Sequence, residues 1–327
     1  MSYRVEQVLV PLDLSEFSRA ALEFARGLRL GKKRPLIQVA HAVPPLAPHL
    51  RRVLFPYAPL GEDDREFEAE LVEASRVELY DRFGLDDDDL HLLSDPWIEP
   101  GEPRVLITDW VRRVDADLIA IGAFGTTGAF PGGLGSTTQR LLRTTSRPVA
   151  VLRDFDPNPR VRKILVAVDL SDQTPEVLRI AASLALQTDA ELDLIHVIPS
   201  PWLHDTRSLV KRALKTSHAD LSKSLKSTVD AHFERALENL ELPFADEENA
   251  STLLSHLSVD IGDPAGLVTE RAYQEGHDLI VVGTSSNHRS HGSLGRIAHR
   301  ILVTAPTHVL AVPPARTKTP LVEAEET

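Results

Sequence analysis

Five short landmarks in the first half of the chain return in the second half, in the same order. Val8-Leu9-Val10-Pro11-Leu12-Asp13-Leu14-Ser15 returns as Ile164-Leu165-Val166-Ala167-Val168-Asp169-Leu170-Ser171, and residues 38–44, with His41 and Pro44, return as 193–199, with His196 and Pro199. Gly101-Glu102-Pro103 returns as Gly262-Asp263-Pro264, residues 117–122 as 278–283, and Gly133-Leu134-Gly135 as Ser293-Leu294-Gly295. The offsets are 156, 155, 161, 161 and 160 residues. Chance similarity does not hold five landmarks in register, so the chain is a tandem duplication of one unit. Its 327 residues fit two domains at roughly 150 residues each. The expected boundaries are 1–153 and 161–314, with a Pro-punctuated linker between them and a polar, acidic tail at 315–327.

Within the first unit short apolar runs alternate with helical patterns. Strands are predicted at 7–12, 36–43, 117–122 and 148–152, with a weaker one at 90–94. Ser15 stands where a helix N-cap belongs, and Phe17, Ala20, Ala21, Phe24, Ala25 and Leu28 then keep helical spacing. Further helices are predicted at 62–83, 103–113 and 136–145, with Pro103 in a first turn. Strands that are continuously apolar, rather than alternating, belong to parallel sheets covered on both faces. The fold class is α/β: two tandem doubly wound, Rossmann-like domains, each on a five-stranded parallel sheet.

Several functions are excluded or disfavoured by composition. There is no Cys, hence no disulfide framework, thiolate metal site or Cys nucleophile. The formal charge of −12 argues against nucleic acid, which calls for clustered cations. The amino terminus shows no secretory pattern, and no apolar run approaches the ~20 residues that cross a bilayer, so the expectation is a cytoplasmic protein with no membrane partner. His288, His291 and His299 lack acidic partners at ligand spacing, so no metal site is expected; His41 and His196, at strand ends, read as structural. The acidic runs 86–89 and 62–64 read as solvated charge. The insertions at 44–61 and 200–217, with Phe55, Tyr57 and Trp202, either cover a cleft, meet a protein partner or are ordinary surface.

The fourth strand runs into Gly122-Ala123-Phe124-Gly125, then nine residues, then Gly135-Ser136-Thr137-Thr138-Gln139. Gly122 and Gly125 let backbone approach a ligand with no Cβ in the way. Ser136 and Gln139 have the spacing of a capping box, which marks a helix start whose N–H groups and dipole favour an anion such as phosphate. This G-x2-G-x9-G-[S/T] pattern resembles the nucleotide-binding motif of the universal stress protein family, as do Asp13 followed by Ser15 and the strand carrying His41. The resemblance spans nearly the whole chain, as two consecutive family domains.

That resemblance implies an ATP- or AMP-binding first domain. Pro11, Leu12 and Asp13 would line the adenosine side, with Asp13 accepting from ribose or base, and Ala42 would meet adenine through its backbone. Gly122, Ala123 and Gly125 would pass beside ribose and phosphates. Gly135, Ser136, Thr137 and Thr138 would hold phosphate oxygens, and Mg²⁺ could bridge them, since the motif fixes no nearby Lys or Arg. The second copy keeps Asp169, Ser171 and Gly283 but has Ser286 in place of Gly125, a gap one residue shorter, and Arg296 in place of Ser136. Nucleotide is therefore expected in the first domain, and weakly or not at all in the second. In this family the last strands meet across a dimer axis, so residues 149–152 and 309–312 are expected to form an internal pseudo-dimer, with a homodimer as a further expectation.

No G-x-x-x-x-G-K-[S/T] loop, G-x-S-x-G elbow or nucleotide-activating signature is present, and no base for water attack can be named. The expected role is a non-enzymatic stress-response regulator. A nucleotide-independent interaction module, chaperone-like in kind, and a slow ATPase are the open alternatives.

Overall fold

Strand β1 (Gln7–Pro11) has four of its five residues buried, β2 (Leu36–Val43) has seven of eight, and β4 (Leu118–Gly122) and β5 (Val149–Leu152) are buried throughout. Such strands need cover on both faces, and helices supply it. The computed structural model describes residues 3–28, 33–45, 63–85, 91–125, 133–153, 160–199, 227, 231, 254–284 and 294–314. Its first unit contains α1 (Phe17–Gly27), α2 (Asp63–Phe83), β3 (Trp97–Pro100), α3 (Pro103–Val114) and α4 (Ser136–Thr144). The second contains β6 (Lys163–Val168), α5 (Thr174–Thr188), β7 (Glu191–Pro199), β8 (Leu254–Gly262), α6 (Pro264–Gln274), β9 (Leu279–Gly283), α7 (Arg296–Thr304) and β10 (His308–Val312).

All ten strands form one sheet in the order β3-β2-β1-β4-β5-β10-β9-β6-β7-β8. Within each half every neighbour is parallel, and each half is doubly wound with a switch between its first and fourth strands. The halves meet antiparallel: Val149, Ala150 and Val151 of β5 face Ala311, Leu310 and Val309 of β10. Each face of the sheet carries one apolar core that runs through both halves. One packs α1, α2 and α5 through Phe24, Leu79 and Leu178; the other packs α3, α4, α6 and α7 through Trp110, Leu141, Val268 and Ile301.

Polar ties reinforce the seam. The Arg153 backbone N–H donates to His308 Nδ1 at 3.0 Å, and its guanidinium donates to the carbonyls of Leu302 and Val303 at the end of α7. Gln139 Nε2 lies 3.5 Å from His299 Nε2, and Ser183 Oγ donates to the Tyr3 carbonyl at 2.8 Å.

Three expectations need correction. The third strand is Trp97–Pro100, whereas among the described residues of 90–94 only Leu92 bridges, to Ile37. His91 takes a left-handed φ of 53°, which breaks the extended run before it can lengthen. Helix α1 begins at Phe17 with Glu16 as its N-cap and no side-chain cap bond, so Ser15 does not cap it. Helix α4 has Gly135, not Ser136, as its N-cap, and again no side-chain cap. The acidic run 86–89, Glu62 of the run 62–64, residues 46–61 and 200–217 of the insertions, most of the linker and the tail lie outside the described residues.

Candidate functional site

Because β1 ends at the switch point, the chain beyond it faces open space rather than a neighbouring strand. Leu12 keeps one more ladder bond, its N–H donating to the Ala40 carbonyl at 2.8 Å, and Asp13 then leaves the sheet. Its carboxylate Oδ1 accepts from the Ser15 N–H at 3.1 Å, from the Ser15 hydroxyl, and from Ser18 Oγ at 2.7 Å, while the Asp13 N–H donates to Ser18 Oγ at 2.9 Å. This knot holds the turn that leads into α1. It spends the Ser15 hydroxyl on Asp13 and fixes where the carboxylate stands.

The glycines divide into two kinds. A Cβ on Gly122 would meet Phe17 and the Phe124 carbonyl at 3.1 Å, so this glycine lets β4 close against α1. A Cβ on Gly125 would stand 2.8 Å from Asp13 Oδ2, so that residue keeps the mouth between β1 and β4 open. Gly135 donates its N–H to the Ala123 carbonyl at 2.8 Å, which brings the start of α4 back over the end of β4. With no side-chain cap there, the first turn of α4 presents its N–H groups outward.

Together these segments bound a cleft of about 440 Å³. Ten of the twelve residues singled out from sequence line it: Pro11, Leu12, Asp13, Ala42, Gly122, Gly125, Gly135, Ser136, Thr137 and Thr138. Ser15 and Ala123 do not. Ser15 is turned to Asp13, and Ala123 is fully buried, with its N–H on the Leu152 carbonyl. Thr138 is also largely committed, its hydroxyl donating to the Gly122 carbonyl at 2.9 Å. Sequence reasoning missed Ser18, Ser75, Ile107, Trp110 and Phe124, which also line the cleft. The spacing of Pro103, Ile107 and Trp110 on one helical face was a usable signal; nothing in the sequence points to Ser75. No Lys or Arg lines this cleft among the described residues, and Asp13 is its single carboxylate.

His41 sits in the wall with Nδ1 2.8 Å from the Leu12 carbonyl, a bond that ties β2 to the end of β1, and His196 repeats it on Val168 at 2.8 Å. Burial holds His41 below the ordinary imidazole value of 6.5, outweighing the upward pull of the Leu12 carbonyl and the Asp13 carboxylate. Below pH 6.5 the unfolded chain therefore takes up a proton that the folded chain resists, and stability falls as pH drops through that range. Urea unfolding at pH 7.5 and 5.5 should show this loss, and His41→Asn should shrink the difference. An unchanged difference in the variant would assign the acid sensitivity elsewhere.

The equivalent cleft of the second unit is about 360 Å³ and is built differently. Asp169 is exposed and receives the Ser171 N–H at 3.1 Å, while Thr174 replaces Ser18. Gln173, in place of Phe17, donates to the Val312 carbonyl at 2.7 Å and leaves 2.8 Å between its Oε1 and any Cβ on Gly283. Arg296 opens α7 where Ser136 opens α4. Ser286, His288 and His291 lie outside the described residues. Among the described residues one group has metal-ligand spacing, Asp193, Glu275 and His277, whose ligand atoms lie within 4.8 Å of one another. The Lys163 ammonium already stands 3.3 Å from Asp193 and 3.9 Å from Glu275, supplying the positive charge itself.

The profile of the universal stress protein family matches the chain twice, at residues 4–153 and 160–313. The chain belongs to the universal stress protein family. Universal stress protein A homolog 1 of Coxiella burnetii is 29% identical over 156 residues, which is 46% of this chain and 95% of that relative. A universal stress protein from Archaeoglobus fulgidus DSM 4304 superposes with a TM-score of 0.60 at 17% identity, covering 95% of this chain and 99% of its own. A protein of unknown function from Pseudomonas aeruginosa PAO1 gives 0.57 at 16% identity, covering 95% and 93%. These two likenesses show the same fold over 95% of the chain. Among the described residues, no helix is long and apolar enough to cross a membrane.

Proposed function

We propose that the first unit of this universal stress protein binds an adenine nucleotide, ATP or AMP, and that the protein acts as a stress-response regulator read through that occupancy. The observation that carries this reading is the cleft at the switch point: about 440 Å³, held open by a glycine against a tethered carboxylate, with an uncapped helix start on one side. Ala42, Val43 and Ile107 offer the flat apolar walls a base needs, and Ser136 and Thr137 offer hydroxyls and N–H groups to phosphate. Among the described residues no cation lines the cleft, so Mg²⁺ would supply charge balance to a triphosphate. Asp13, the one carboxylate in the cleft among the described residues, is held by Ser15 and Ser18, so the site favours holding a nucleotide over hydrolysing it.

The second cleft has an exposed Asp169, Gln173 in place of Phe17 and Arg296 in place of Ser136, so one nucleotide per chain is expected. Release of nucleotide from denatured protein as purified, followed by calorimetric titration of stripped protein with ATP and AMP, with and without Mg²⁺, tests both statements. A stoichiometry near one supports them. Two equivalent sites would remove the asymmetry, and no binding of either nucleotide would remove the proposal.

A further inference from the structure

One fully buried polar group in the wall of the cleft has no partner among the described residues. Trp110 is fully buried on α3, and its indole Nε1–H has no hydrogen-bond partner among the described residues. Three other polar side chains of the cleft are paired: His41 with the Leu12 carbonyl, Ser18 with Asp13, Thr138 with the Gly122 carbonyl. Folded chains seldom leave a buried donor without an acceptor, and an indole N–H can only donate. Trp110 also lines the cleft, on the same helical face as Pro103 and Ile107, opposite the end of β2 at Ala42, Val43 and Pro44. This is the apolar end, where the base rests in the nucleotide reading. The indole belongs to the first unit alone. In the register set by Gly101 and Gly262 its counterpart is Arg271, which pairs with Asp260 at 3.0 Å and Glu275 at 3.7 Å and does not line the second cleft.

We infer that Trp110 is a specificity-determining residue, its indole N–H pairing with an unprotonated ring nitrogen of the bound purine. The inference rests on the nucleotide reading and goes beyond it, because it names the group that recognises the base. The indole nitrogen is buried, so pairing with a base requires the cleft wall to shift at Trp110. Binding should therefore be visible at the indole itself.

The test uses the full-length protein with ATP and its 1-deaza, 3-deaza and 7-deaza analogues, each of which replaces one ring nitrogen by C–H. Calorimetry on wild type should show one analogue binding about tenfold more weakly than ATP, the scale of one lost hydrogen bond to a buried donor. Trp110→Phe should weaken ATP by a similar factor and no longer distinguish that analogue. In ¹H–¹⁵N spectra the chain's three tryptophans give indole signals, and the one absent from Trp110→Phe should move downfield with ATP. If ATP binds wild type but all three analogues match it and the Trp110 signal stays still, this inference falls while the nucleotide reading survives. If ATP does not bind at all, both fall. Should Trp110→Phe not fold, the wild-type titrations and the indole signal decide by themselves.

Discussion

Gly125→Val should leave a folded protein that no longer carries nucleotide. Gly125 sits on the loop that leaves β4, partly exposed, so the sheet and both apolar cores are untouched by the change. What changes is the cleft mouth, where a single Cβ already reaches within 2.8 Å of Asp13 Oδ2 and valine adds two methyl groups beyond it. The carboxylate cannot simply swing aside, because its other oxygen is held by Ser15 and Ser18. Overpacking of this kind costs typically about 1–3 kcal/mol, or roughly 5- to 150-fold in affinity. The measurement is nucleotide released on denaturation, together with the ATP dissociation constant. Gly27→Ala is the control, since a Cβ there meets nothing within 4 Å. Wild-type nucleotide content in Gly125→Val would show that the ligand, if any, lies elsewhere.

Leu310→Asp should be the most damaging single change to stability. Leu310 is 1% exposed on β10, paired with Ala150 across the seam and with Val281 inside its own half. An aspartate there buries a carboxylate with no partner, one of the few substitutions that cost more than about 4 kcal/mol. At about 2–4 °C per kcal/mol for units of this size, the melting temperature should fall by roughly 10 °C or more. A buried carboxylate prefers its protonated form, so the loss should be milder towards pH 4 than at pH 8. Val105→Asp, at a position 67% exposed, should change stability by less than about 0.5 kcal/mol. A Leu310→Asp protein melting within a few degrees of wild type would mean that β10 is not packed in this core in solution.

The duplication and the strand–helix alternation were legible because they depend on burial pattern, which a run such as Leu36–Val43 displays directly. Trp97–Pro100 was not, because its strand character comes from pairing with Ala40–Val43 rather than from its own four residues. Both predicted serine caps failed for local reasons. The Ser15 hydroxyl is captured by Asp13, and Gly135 takes the cap position one residue ahead of Ser136. At the site, residues fixed by the backbone path were readable: Asp13 at a strand end, and Gly122, Gly125 and Gly135 around the loop. Ser18, Ser75 and Trp110 come from the sides of helices, and which side faces the cleft is settled only by how α1, α2 and α3 roll against the sheet. Phe124 was hidden differently, as the variable position between two glycines that drew attention.

The seam of β5 against β10 has a consequence for the division of labour. Where two identical chains pair across such an edge, every substitution is made twice, and both clefts must tolerate it. Here Phe17 and Gln173, Trp110 and Arg271, and Ser136 and Arg296 occupy matching places yet differ. One covalent molecule can thus keep a receptive half and a half released from that duty, at fixed one-to-one stoichiometry. Because the antiparallel seam points the two clefts towards opposite ends of the sheet, whatever reads the first need not touch the second.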